Sequence, residues 1–215
     1  MMDENDTMTK EVRAYLTGLT WDGVQRLGSE DAASPRSWLE VYLGAKGGAD
    51  VRATGRWWLV SAVARAFVPG CVAHLMVIHG PQGNGKTRAL SALFSPWFSE
   101  DFSTEPGQLA GVWCAEVPEV SATAKSFLAR TVDRYRPPHA RQALDVPRQI
   151  VFCGTTNARP AADGRRCWPV EVGAVAPIDV DGLRRDRDQL FAEAVVLFNQ
   201  GEPWWPASVE PSLTS

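Results

Sequence analysis

Gly80-Pro81-Gln82-Gly83-Asn84-Gly85-Lys86-Thr87 fits the spacing G-x-x-x-x-G-K-[ST], the phosphate-binding loop of nucleoside triphosphatases. The physical reason for that spelling lies in the ligand. A triphosphate requires backbone N–H groups turned inward around its oxygens, and side chains at the turns would obstruct them. Gly80, Gly83 and Gly85 remove that obstruction and permit left-handed backbone angles. Lys86 can then reach between the β- and γ-phosphates, and the Thr87 hydroxyl can ligate Mg²⁺.

The flanks suit this reading. Residues 72–78 (Val-Ala-His-Leu-Met-Val-Ile) form a short apolar run appropriate to a buried strand. Residues 87–94 predict a short helix whose N-terminus faces the phosphates, and Pro96 ends it. An ordinary glycine-rich turn that happens to contain a lysine would not require a strand before it and a helix after it.

Two further runs read as strands. Residues 110–116 end on Glu116, followed by Val117, Pro118 and Glu119. Beside a phosphate loop, a strand-end carboxylate can hold Mg²⁺ or its water, and a second acid can polarise the attacking water. Glu116 suits the first role and Glu119 the second, against the alternative that both are surface acids. Residues 149–157 end in Thr155-Thr156-Asn157; strand C-termini in such sheets face the ligand. Asn157 could contact the γ-phosphate or orient water, or be there for its turn propensity. Beyond a polar loop, residues 167–172 alternate like another strand. Arg165 and Arg166 end that loop, either solvated or serving as a finger into a neighbouring subunit's phosphate site.

The remaining chain reads as helical support. Residues 1–8 look disordered, and 9–70 carry helical patterning, with the nearly apolar 56–67 as a buried helix stopped by Pro69-Gly70. A last helix spans 183–200, with Leu190, Phe191, Ala194, Val195, Leu197 and Phe198 as its apolar face and Gly201 as its stop. The expected organisation is a helical region over 1–70, a phosphate-loop core over 71–205 and a loose tail over 206–215. The fold class is α/β, a parallel-sheet core preceded by a small helical layer.

Composition bounds the alternatives. At 215 residues with 45% hydrophobic and 22% charged residues, this is a folded core with some extra structure. No apolar run is long enough to cross a bilayer, and the acidic N-terminus lacks a signal peptide's apolar core; the expectation is a cytoplasmic protein with no membrane partner. Cys71, Cys114, Cys153 and Cys167 are widely spaced and read as buried free thiols; His74, His79 and His139 have no metal-ligand spacing. Net charge is −3, yet residues 125–166 hold nine Lys/Arg against three Asp, leaving −9 elsewhere. That asymmetry points to one basic surface, solvated or bound to nucleic acid.

Taken in order, several segments resemble the virulence-associated protein E family of phages and mobile elements, related to superfamily 3 helicases and AAA+-type ATPases. They are Leu19-Thr20-Trp21-Asp22-Gly23, the phosphate loop and Trp113-Cys114-Ala115-Glu116-Val117-Pro118-Glu119. The series continues with Val132-Asp133-Arg134-Tyr135-Arg136-Pro137-Pro138, Gly154-Thr155-Thr156-Asn157 and Arg165-Arg166-Cys167-Trp168-Pro169-Val170. The resemblance implies a P-loop core in which the acidic strand is not the immediate neighbour of the loop strand. It implies ATP hydrolysis with Mg²⁺ coupled to DNA handling during replication. Residue by residue, Gly80, Pro81, Gln82, Gly83, Asn84, Gly85, Lys86 and Thr87 match the phosphate-binding positions. Glu116 and Glu119 match the acidic motif, Asn157 the sensor position, and Arg165 or Arg166 a candidate arginine finger. Lys125, Arg130, Arg134, Arg136 and Arg141 fall in the region that grips DNA or reads nucleotide state in related helicases. Many relatives carry a primase-like domain in front and continue beyond the position of Trp205, and here two glutamates separated by Val-Pro replace an adjacent acidic pair.

Three functions follow as expectations. The first is a DNA-dependent, helicase-like ATPase acting as a homo-oligomer, closed into a ring where its head-to-tail rotation allows, with single-stranded DNA on the basic track. Tyr135, between Arg134 and Arg136, would be a stacking platform or a core residue. The second is a nucleotide-dependent module that binds DNA or another replication protein without unwinding. The third is a small-molecule kinase, although residues 164–201 specify no phosphate acceptor.

Overall fold

The computed structural model describes residues 4–31, 33–118, 127–128, 130–136, 142–160 and 167–205. Helices α1 (Glu4–Gly18), α2 (Trp38–Tyr42) and α3 (Ala49–Phe67) precede strand β1 (Leu75–His79). Helix α4 (Lys86–Phe94), strand β2 (Phe98–Ser99) and a 3₁₀ turn (Pro106–Leu109) follow. Next come β3 (Cys114–Pro118), β4 (Val132–Tyr135), β5 (Leu144–Pro147), β6 (Val151–Thr156), β7 (Cys167–Glu171) and a last helix, α5 (Val180–Asn199).

Five strands form one parallel sheet in the order β2-β3-β6-β1-β7. β6 therefore separates the loop strand β1 from the acidic strand β3, as the resemblance implies. Central strands of such a sheet are covered on both faces, so they read as continuous apolar runs. One face packs Met76, Ile78, Cys114, Val151 and Cys153 against α3, α4 and α5; the other packs Val77, Val117 and Phe152 against Phe127 and Leu128. Trp113 lies inside the first layer, its ring 4.8 Å from Phe191 and 5.0 Å from Phe94. Among the described residues no helix is long and apolar enough to cross a membrane.

Several sequence expectations shift. The chain is helical from Glu4 rather than disordered to residue 8, because Met8, Val12 and Leu16, four apart, bury one stripe against the body. The described residues between α1 and α2, 19–31 and 33–37, are not helical; Gly23 and Gly28 take left-handed angles. Glu193 of α5 accepts the N–H groups of Arg26 and Leu27 there, at 2.6 and 3.0 Å. β3 begins at Cys114, after a left-handed Gly111, so Glu116 lies mid-strand rather than at its end. β4 and β5 form an antiparallel hairpin that the sequence reading did not name. Cys114, Cys153 and Cys167 are buried free thiols, while Cys71 is half-buried. The expected tail beyond residue 205 lies outside the described residues.

Candidate nucleotide site

The loop after β1 connects to α4 through Gly85, which takes a left-handed φ of 95° at the helix N-cap. Gly83 is left-handed too, at 75°. Gly80 is required for space: a Cβ there would lie 2.4 Å from the Val172 carbonyl oxygen. The loop thus presses against the chain leaving β7, and the Asn84 amide reaches the same carbonyl at 3.5 Å.

Parallel strands point their C-terminal ends the same way, and three of those ends converge here. Gly83, Asn84, Gly85, Lys86, Thr87 and Arg88 line a cleft of about 430 Å³ together with Pro118, Thr155, Thr156 and Asn157. Lys86 is 8% exposed. Its ammonium donates to the carbonyls of Gly80 and Pro81 at 2.9 Å each, and lies 3.3 Å from Asn84 Oδ1 and 3.4 Å from Asn157 Oδ1. Desolvation lowers its pKa below that of an ordinary lysine, with Glu116 opposing the shift.

Glu116 is buried. Its Oε1 accepts from Thr87 Oγ1 at 2.9 Å and from Thr155 Oγ1. Its Oε2 has no hydrogen-bond partner among the described residues. The loop threonine and the acidic-motif glutamate, 29 positions apart, thereby meet. A hydroxyl and a half-satisfied buried carboxylate form an oxygen donor set suited to a hard divalent cation such as Mg²⁺. The residues present fit the metal that the motif implies.

Side chains alternate along β3, so Val117, next to Glu116, points into the opposite core layer, and Pro118 returns to the cleft. Glu119 lies outside the described residues, as do Lys125, Arg141, Arg165 and Arg166. Cys167, which follows Arg166, pairs with Leu75 at the end of β1 remote from the loop. Of the cationic residues expected on a DNA track, Arg130, Arg134 and Arg136 are exposed; Arg134 lies 3.8 Å from Asp145 across the hairpin. Tyr135 is half-buried, its ring lying beside Gly107.

Sequence reasoning missed Thr155 and the interior role of Arg148. Thr155 shares a strand face with Val151 and Cys153, and a period of two from those residues points it at Glu116. Arg148 belongs by charge to the basic segment but is fully buried. It donates to both Asp133 oxygens, by Nε at 2.7 Å and by Nη2, and by Nη1 to the Phe127 carbonyl at 2.8 Å. Its guanidinium lies 4.4 Å from the centre of the Phe127 ring. Among the described residues no group of three or more His, Cys, Asp or Glu gathers as a metal centre.

No curated protein matches the chain. Among solved structures, an A-form apo structure of the NrS-1 C-terminal region is similar with a TM-score of 0.46 and 13% identity. That likeness covers 68% of this chain and 41% of that one. A second A-form apo structure, of NrS-1 residues 305–718, gives 0.40 and 12%, covering 89% of this chain and 54% of that one. This chain thus spans about two fifths of the first of these structures and just over half of the second. The model of the virulence-associated protein E-like domain matches residues 16–214, a span that takes in the loop, Glu116, Asn157 and the hairpin, and the chain belongs to that family.

Proposed function

We propose that the chain binds ATP with Mg²⁺ and hydrolyses it as a DNA-dependent, helicase-like replication protein of a phage or mobile element. The observation that carries the nucleotide reading is that Lys86, Thr87 and Asn157 line one cleft, with Lys86 beside Asn157 and Thr87 bonded to the buried Glu116 behind it. The loop N–H groups and Lys86 bind the phosphates; in the free protein the Lys86 ammonium rests on loop carbonyls that a triphosphate would replace. Thr87 and Glu116 would hold Mg²⁺, which supplies neutralisation of the charge on the β- and γ-phosphate oxygens. Asn157, beside Lys86, contacts the γ-phosphate or its attacking water. Arg165 or Arg166 serves a neighbouring copy, and a head-to-tail homo-oligomer, closed as a ring where its rotation allows, would supply it. Single-stranded DNA lies along Lys125, Arg130, Arg134, Arg136 and Arg141.

One observation favours a second reading, a nucleotide-dependent DNA- or partner-binding module in replication initiation without unwinding of its own. Pro118, not an acid, returns to the cleft after Glu116, so β3 offers a single carboxylate. ATP turnover, measured with and without single-stranded DNA beside a Lys86→Ala control, separates the two. The motor reading predicts turnover stimulated by DNA and lost in the control. Nucleotide binding with no turnover under either condition would sink the motor and leave the module.

A further inference from the structure

We infer that Thr155 is a positioning residue for the divalent cation, setting the affinity of the site by fixing the glutamate that faces the metal. The inference rests on the nucleotide-binding reading and concerns a residue which that reading leaves without a role. Glu116 is 6% exposed and Thr155 8%, so neither side chain is held by bulk water. Both hydroxyl donors that reach the carboxylate, from Thr87 on α4 and Thr155 on β6, converge on Oε1. Oε2 is left without a partner among the described residues.

That asymmetry is informative. Two donors on one oxygen are not unusual by themselves, since Arg26 and Leu27 both donate to Glu193 Oε2; what sets Glu116 apart is that its second oxygen is buried with no partner among the described residues, where Arg148 supplies both oxygens of Asp133. Here one oxygen is held twice and the other is left for a ligand with no proton to give, which is what a cation is. The two threonines then divide the work. A hydroxyl that donates its one proton to Oε1 turns its lone pairs elsewhere, so Thr87 can offer an oxygen to the same cation. Were Thr87 the only donor, its movement toward the metal would free the carboxylate to rotate. Thr155 sits on a central strand, two residues beyond the Glu116–Cys153 pairing, held between β1 and β3 by its pairings with Ile78 and Pro118. It keeps Oε1 in place and Oε2 aimed at the cation while the loop rearranges around phosphate. Partners of this kind around metal ligands change metal affinity by about 10- to 100-fold when removed.

The test uses Thr155→Val, which preserves shape and removes the hydroxyl, and Thr155→Ser, which restores a donor. Mn²⁺ binding in the presence of a non-hydrolysable ATP analogue is read by electron paramagnetic resonance. Analogue binding without metal is read by calorimetry, and folding by thermal unfolding. The expected result is Mn²⁺ affinity lowered about 10-fold or more beyond any change in metal-free analogue affinity in Thr155→Val, and recovered in Thr155→Ser. Wild-type Mn²⁺ affinity in Thr155→Val overturns the inference and leaves the nucleotide reading standing. Equal losses with and without metal also overturn it, because Thr155 would then be supporting the fold alone. A wild-type protein that binds neither analogue nor Mn²⁺ overturns both readings together.

Discussion

Two buried carboxylates, Glu116 and Asp133, lie on the two sides of β6 and are treated in opposite ways. Asp133, at the base of the hairpin, receives two N–H groups from a guanidinium that is itself fully buried and laid on the Phe127 ring. Arg148 also ties the hairpin into the body: its N–H bonds to the Thr131 carbonyl at 2.8 Å, and its own carbonyl accepts from Gly70 at 2.8 Å and Arg65 at 3.3 Å. Glu116 receives two hydroxyls on one oxygen and none on the other. The difference separates a carboxylate that closes a network from one that leaves a network open. Burial alone does not mark a site; burial with an unspent acceptor behind a cleft lined by its own hydrogen-bond partners, Thr87 and Thr155, does.

The largest expected effect breaks the closed network. Arg148→Ala leaves Asp133 buried without its partner and removes the clamp between hairpin and body. Loss of one partner of a buried ion pair costs about 3–5 kcal/mol. Urea unfolding should show that loss, and the double variant Asp133→Leu with Arg148→Met should recover much of it, since apolar replacements of similar volume often match a buried pair. If Arg148→Ala unfolds at the wild-type urea concentration, the network is not closed in the sense drawn here.

At the open network the same logic predicts the opposite sign for stability. Glu116→Gln removes a charge that the free protein satisfies on one side only, so the apo protein should unfold no earlier than wild type. Mg²⁺-dependent binding of nucleotide should be lost in the same variant, as read by calorimetry with and without the metal. A destabilised apo protein that still binds Mg²⁺–nucleotide would reverse the assignment of the two carboxylates.

This contrast also marks what the sequence makes legible. The glycine spacing around Lys86 is a local pattern, with Gly83 and Gly85 in left-handed turns, so the loop, its strand and its helix could be read directly, with β1 displaced by a few residues. Residues 72–74 are apolar enough for a strand but are used otherwise: His74 stacks on Trp168 at 4.4 Å, and the Trp204 indole donates to the Val72 carbonyl at 2.8 Å. Glu116 was legible as an acid after an apolar run. Its open oxygen was not, because that depends on Thr155, 39 positions away, and on the register between β3 and β6. Arg148 carries the same charge as its exposed neighbours in sequence, and only the register of Val132 with Pro147 shows that it turns inward at the hairpin's base. The helical expectation between α1 and α2 fails in part for a similar reason: Asp22, Arg26 and Leu27 give their N–H groups to Gln189 and Glu193, far along the chain. Local patterns were readable and long-range satisfaction of polar groups was not.

A third carboxylate grades the comparison at its weak end. Asp186 on α5 is partly exposed and accepts from the Tyr42 hydroxyl at 2.6 Å, joining α2 to α5. Arg185 and Tyr42 together hold Asp186 below the usual carboxylate range. Burial, reinforced by the bond to Asp186, pushes the Tyr42 phenol up to about 12. The sign follows from the raised value: folding favours the neutral phenol. The contribution is complete below pH 10, the ordinary tyrosine value, and is lost as pH rises through about 12. Because the carboxylate is open to solvent, the bond is worth only about 1 kcal/mol at neutral pH. Tyr42→Phe should therefore lower stability by that amount at pH 8, and the gap between variant and wild type should close on titration toward pH 12, read by urea unfolding at each pH. A gap that persists unchanged at high pH would mean that Tyr42 contributes by packing alone, and that partly exposed Asp186 adds nothing to the joint between α2 and α5.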